Sequence, residues 1–99
     1  MIVVNGSFRL PADRLEQAIP AMKRMIAASL EERGCLAYSY AIDIVDPGLV
    51  RVTEAWANGE TLSRHFETPH MQAWKQEREA LGMTDRTMTM HAVKHSTDL

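Results

Sequence analysis

The stretch from Cys35 to Ala57 most narrows what this chain can become. Leu36, Tyr38, Tyr40, Ile42 and Ile44 alternate with Ala37, Ser39, Ala41 and Asp43, the two-residue period of a strand with one buried face. Asp46-Pro47-Gly48 follows; the proline pre-sets one backbone dihedral and the glycine accepts a positive φ, so the chain turns. Leu49 to Ala57 then returns as an antiparallel strand with Val50, Val52, Glu54 and Trp56 on one side. The rest of the chain must cover the apolar face of this hairpin.

Residues 2 to 10, rich in β-branched and aromatic side chains, read as another strand, in which Gly6 marks a bulge or a close approach. From Ala12 to Glu32, Leu15, Ile19, Met22, Ile26 and Leu30 recur at helical spacing, with Pro11 near the start and Gly34 past the end. Pro20 lies inside this segment on its polar side, with Glu16, Lys23 and Glu31, and predicts a kinked or split helix. Asn58 is placed to cap a short helix that carries Leu62, His65 and Phe66 on one side. Thr68-Pro69 starts a further helical piece, with Met71, Trp74 and Leu81 inward and Gly82 as its stop. Thr84 to His95 closes the chain as a strand with Met88, Met90 and Ala92 on one face.

The resulting order, β-α-β-β-α-β, predicts an α+β, ferredoxin-like single domain over residues 1–99: an antiparallel four-stranded sheet with helices on one face. The second face of that sheet is expected to carry apolar residues and to be covered in a homodimer, as a dimeric α/β barrel.

Composition removes several function classes. A net charge of −2 without a stripe of Lys and Arg argues against nucleic acid as a partner. The single cysteine, Cys35, allows neither an intrachain disulfide nor a thiolate metal cluster, and reads as a small apolar residue opening a strand. No apolar run is long enough to span a membrane, and Met1 to Leu10 lacks the basic region and cleavage site of a signal peptide, so a cytoplasmic protein is expected. Glycine-rich phosphate loops and flavin or nicotinamide fingerprints are missing, which leaves no expected cofactor.

Among the titratable residues, His65 stands beside Leu62 and Phe66 on an inward helix face, where an imidazole serves as acid, base or donor near neutral pH, or simply packs. Glu54 shares the Trp56 face, and a buried carboxylate must be paired or protonated. His70 follows Pro69 and reads as a capping residue. The spacing of His65 and His70 does not put two ligands on one helix face, and no metal site is expected. Tyr38 and Tyr40 share one face, where Trp56, Trp74 and the methionines can meet them in a pocket suited to a flat aromatic ligand.

Taken in order, Glu32-Arg33-Gly34-Cys35-Leu36-Ala37-Tyr38, Asp46-Pro47-Gly48, Glu54-Ala55-Trp56, His65-Phe66 and Thr68-Pro69-His70-Met71 resemble the antibiotic biosynthesis monooxygenase family over nearly the whole chain. The family's small dimeric ferredoxin-like proteins include quinol and anthrone monooxygenases. The resemblance implies oxidation of a small electron-rich aromatic substrate by molecular oxygen, without metal or flavin, in a pocket between sheet and helices. It implies His65 as base or oxyanion donor, Trp56 as a pocket wall and Glu54 as the glutamate of the same Glu-x-Trp motif. Tyr38, Tyr40 and Phe66 would hold the ring, Met22, Met88 and Met90 would furnish apolar walls, and Asn5 would donate to a carbonyl. Arg33 stands where many relatives have proline. The asparagine, tryptophan and histidine set of heme-degrading relatives finds no match beyond Asn5. A non-catalytic module that holds an aromatic metabolite, or an isomerase or cyclase on the same fold, would use the same pocket.

Overall fold

The computed structural model describes residues 1–99 and runs β1 (Ile2–Arg9), α1 (Leu15–Leu30), β2 (Cys35–Ile42), β3 (Leu49–Trp56), α2 (Gly59–His65), α3 (Pro69–Ala80) and β4 (Thr84–Ala92). The sheet order is β2-β3-β1-β4, with every neighbouring pair antiparallel. β1 and β2 therefore run parallel with β3 between them, joined across one face by α1. This is the α+β ferredoxin-like arrangement that the element order predicts, and it brings all three helices onto one side of the sheet. No helix is long and apolar enough to cross a membrane.

Local chemistry sets most boundaries as expected. The Asn58 side chain accepts from the Thr61 N–H at 2.9 Å while Thr61 Oγ1 accepts from the Asn58 N–H, a reciprocal cap on α2. Thr68 caps α3 with Pro69 in its first turn. Gly6 lies where β1 and β4 approach: a Cβ there would run into the Thr87 carbonyl and the Met88 side chain.

The first helix departs from expectation. Residues 12–14 form a 3-10 turn, and α1 then continues from Leu15 to Leu30 without a break at Pro20. Pro20 is in the second turn and exposed, so the one hydrogen bond it removes leaves the Glu16 carbonyl to water. The buried stripe is Ala18, Ala21, Met22, Met25 and Ser29, rotated from the expected one, and Leu30 is half exposed.

Leu36, Ile42 and Ile44, expected inward, are exposed. A register shift between Cys35 and Ala37 turns Leu36 outward and puts Cys35 against the core instead. Beyond Ile42 the strand stops because Asp43 Oδ1 accepts from the Val45 and Asp46 N–H groups, each at 2.9 Å, while Arg51 Nε donates to Asp43 Oδ2 at 2.8 Å. Ile44 and Val45 are thereby carried into solvent. β4 ends at Ala92, short of His95, and packs mainly on β1, so the inner face of this edge strand extends past the helices.

The second face of the sheet is also unlike the expectation. It presents Asn5, Ser7, Arg51, Thr53, Thr87 and Thr89 around a wide depression of about 380 Å³. Four exposed apolar side chains, Leu36, Ile42, Ile44 and Val45, lie instead along β2 and the loop that follows it.

Candidate active site

The helix-covered face of the hairpin carries Tyr38 and Tyr40 from β2 and Val52 and Glu54 from β3 in adjacent register, with Tyr38 opposite Glu54 and Tyr40 opposite Val52. α2 ends above them at His65-Phe66, and α3 adds Met71, Trp74 and Arg78. Arg86 and Met88 of β4 complete a narrow cleft between sheet and helices with a cavity volume of about 20 Å³, room for about one water. Its walls are aromatic. Phe8, Tyr40 and Trp74 pack with ring centroids 5.8 to 6.1 Å apart, Tyr40 and Trp74 at an interplanar angle of 32°.

His65 lines this cleft and is buried to 1% exposure. Its Nδ1 lies 2.6 Å from Glu32 Oε2, and the same oxygen lies 2.7 Å from His70 Nε2. An ionised carboxylate only accepts, so both rings present N–H to it. In the neutral ring that arrangement places the lone pair of His65 on Nε2, an atom with no hydrogen-bond partner within the chain. The ring is fixed further by Trp56 at 4.7 Å and Tyr38 at 5.5 Å between centroids.

Trp56 does not line the cleft. It sits on central strand β3 at 0% exposure, behind His65, and its Nε1 donates to Glu54 Oε1 at 3.0 Å. Glu54 does reach the cleft wall. Burial pushes its carboxyl above the usual range, and the Trp56 N–H pulls the other way.

Tyr38 and Tyr40 meet hydroxyl to hydroxyl at 3.1 Å. Burial, reinforced by Tyr40, holds the Tyr38 phenol far above its ordinary value, and burial pushes Tyr40 up to about 12 against the opposing Tyr38 hydrogen bond. Both are therefore neutral donors at physiological pH.

Of the remaining sequence-predicted residues, Phe66 and Met88 line the cleft, whereas Met22, Met90 and Asn5 do not. Met22 is buried under α1, beside a separate apolar groove of about 240 Å³ between α1 and β2. Met90 is opposite Val4 on the inner face but lies beyond the helical cover. Asn5 points to the polar face of the sheet, as alternation from Val4 requires.

Four residues that sequence reasoning gave no part in the site now belong to it. Glu32 follows the end of α1 and opens the Glu32–Tyr38 stretch of the family resemblance, but nothing local marks it as a site residue, because its partners lie 33 and 38 positions away. His70 joins His65 because a helix break intervenes, so spacing along one helix did not apply. Arg78 and Arg86 stand on the cleft wall without a carboxylate partner. Burial, then the like charge of Arg86, depresses the Arg78 pKa.

The model of the antibiotic biosynthesis monooxygenase family matches residues 1–77. The uncharacterised Synechocystis protein sll1783 is 33% identical over 69 residues, covering 70% of this chain and 47% of that protein, so the matched stretch spans about half of the curated relative. Among solved structures, a Deinococcus radiodurans protein bearing the antibiotic biosynthesis monooxygenase name superimposes with a TM-score of 0.94 at 22% identity, covering 100% of this chain and 98% of that one. Rv0793 of Mycobacterium tuberculosis does so with a TM-score of 0.86 at 18% identity, with 98% of each chain covered. A conserved Bacteroides thetaiotaomicron protein of unknown function gives 0.77 at 29% identity over 91% of this chain and 92% of that one.

Proposed function

The chain belongs to the antibiotic biosynthesis monooxygenase family, and from that premise we propose that it oxidises an electron-rich aromatic, a quinol, phenol or anthrone, with molecular oxygen and no bound cofactor. The observation that carries this reading is the His65 imidazole, held by Glu32 at Nδ1 so that Nε2 is left to accept a proton at an aromatic-walled cleft.

His65 Nε2 takes the acidic proton of the substrate, and the resulting anion is electron-rich enough to pass one electron to oxygen. Recombination of the substrate radical with superoxide gives a peroxide. For an anthrone, loss of water then converts CH2 to C=O, with one oxygen atom in the product and one in water. The substrate supplies all the reducing electrons.

Tyr38 and Tyr40, neutral and hydroxyl-bearing, together with the Arg78 and Arg86 cations, stabilise the developing oxyanion. Trp74 and Tyr40 flank the ring. Trp56 acts from behind, by holding the His65 ring. A substrate enters by displacing the unbranched, adaptable side chains of Met83 and Met88, since the closed cleft has room for little more than a water. The reading includes a homodimer, for which the exposed Leu36, Ile42, Ile44 and Val45 offer the apolar surface. Light scattering that gives a monomer at micromolar concentration would count against it.

Oxygen uptake with a panel of quinols and anthrones, in the presence of chelator, is the test. Chelator-resistant uptake that is lost in His65→Ala supports the enzyme. Ligand-induced quenching of tryptophan fluorescence without oxygen consumption would instead make the chain a binding module or an isomerase.

A further inference from the structure

Glu32, His65 and His70 are brought together from three separate stretches of chain: the segment after α1, the last turn of α2 and the first turn of α3. Their ligand atoms, Glu32 Oε2, His65 Nδ1 and His70 Nε2, all lie within 4.8 Å of one another. The set is graded in depth. His65 is sealed at 1% side-chain exposure, while Glu32 at 13% and His70 at 24% open the cluster to solvent on one side. Two imidazoles and one carboxylate are the donor set that first-row divalent cations take, with a water as the further ligand on an open side.

We propose that Glu32, His65 and His70 form a binding site for a divalent cation of the zinc class, and that occupancy reverses the tautomer of His65. In the metal-free chain both rings give their N–H to Glu32 at 2.6 and 2.7 Å. Around a tetrahedral zinc with bonds of about 2.1 Å, neighbouring donor atoms stand about 3.4 Å apart, so each Glu32–histidine contact opens by less than about 1 Å while the two imidazole nitrogens, within 4.8 Å of one another, close by at most about 1.4 Å. Glu32 and His70, on the solvent side, are free to make that movement.

The proton balance is closed within the two rings. Each imidazole must offer a lone pair to the cation, so the proton on His65 Nδ1 passes to Nε2 and that on His70 Nε2 passes to Nδ1. No net proton is released when both rings start neutral. The carboxylate exchanges two hydrogen bonds for one metal bond. His65 Nε2, the atom left to accept a proton at the cleft, then carries a proton itself. The cation would thus convert an acceptor at the cleft wall into a donor. The site itself is independent of the oxygenase reading, because binding and tautomer are both observed without turnover.

Cobalt(II) titration of the full chain, after removal of adventitious metal with chelator, is the experiment. One equivalent per chain should give the intense visible bands of a low-coordinate cobalt site, and zinc should displace it. His70→Ala and Glu32→Ala should each weaken binding by about 100-fold or more. A His91→Ala/His95→Ala double variant, which removes the other two histidines, should bind as the parent does. Long-range proton–nitrogen spectra should move the His65 proton from Nδ1 to Nε2 on adding zinc. Absence of the bands, unchanged affinity in His70→Ala, loss of binding in the double variant, or a thiolate charge-transfer band from Cys35 would each overturn the proposal. If His65 Nδ1 keeps its proton with zinc bound, the tautomer reversal is wrong.

Discussion

Glu32 Oε2 and His65 Nδ1 lie 2.6 Å apart across 33 positions of sequence, joining the end of α1 to the end of α2. The carboxylate accepts the Nδ1 proton and thereby decides which nitrogen of His65 is basic. Glu32 is absent from the cleft lining, so under the proposed oxygenase function it would act through His65 as a positioning residue.

Glu32→Gln should therefore lower kcat while leaving KM within about 2-fold. Loss of the carboxylate that orients a catalytic imidazole costs as much as about 10⁴-fold where such pairs have been dissected, and a fall of about 10²-fold or more is expected here. Steady-state oxygen uptake separates the two constants. A rise in KM at constant kcat would place Glu32 in substrate binding instead.

Glu54 carries the clearest pH signature. Its carboxyl is raised above the ordinary value of 4.5, mainly by burial. A carboxyl raised on folding binds its proton more tightly in the native than in the unfolded chain, so its contribution is complete below 4.5 and is lost as pH climbs through the raised value. Glu54→Gln keeps an acceptor for Trp56 Nε1 and carries no charge to bury. Urea melts between pH 4 and 8 should show the gap between Glu54→Gln and the parent shift in favour of the variant as pH rises. A gap that stays constant across this range would mean that Glu54 titrates alike in both states.

Most of the architecture was legible in the sequence because short-range chemistry writes it. The caps at Asn58 and Thr68 and the four strands are local, and each appears where its residues predict, with β2 and β4 ending a few residues early. What failed was whatever depended on neighbours in space. The bulge at Leu36 reverses a face without altering composition. Met90 alternates correctly, yet β4 is an edge strand and nothing covers it. Trp56 and Glu54 were legible as a pair on one face, but only the depth of β3 under α2 makes the tryptophan a backing for His65 and not a wall. Glu32 stands in a stretch that resembles the family, but it carried no signal of a place in the site, since its partners His65 and His70 reach it only in space.

Trp56→Phe tests the hydrogen bond that ties Trp56 to Glu54 behind the cleft. The ring volume is largely kept, while the Nε1 donor to buried Glu54 is lost, and a buried acceptor left without its partner costs about 1 to 3 kcal/mol. Chemical denaturation should show a loss in that range, and combining the change with Glu54→Leu should recover part of it. A single variant as stable as the parent would mean that another donor reaches Glu54.

Gly34 tests whether the approach of α1 to α2 is set at the backbone. It adopts φ +88°, a conformation that strains side-chain-bearing residues, and a Cβ there would run into the side chain of Thr61 in the first turn of α2. Its carbonyl accepts from Ala57 N–H at 2.8 Å, just before the cap of α2. Gly34→Ala must therefore push α2 away from the segment that carries Glu32, as well as strain the turn. A loss of about 1 to 3 kcal/mol is expected from the strain alone, together with a lengthened Glu32–His65 contact seen as a weaker, upfield-shifted Nδ1 proton resonance. Gly59→Ala, at the start of α2 with nothing within 4 Å of a new Cβ, should change stability by less than about 0.5 kcal/mol. Equal effects of the two substitutions would show that Gly34 is required for chain flexibility and not for the meeting of these helices.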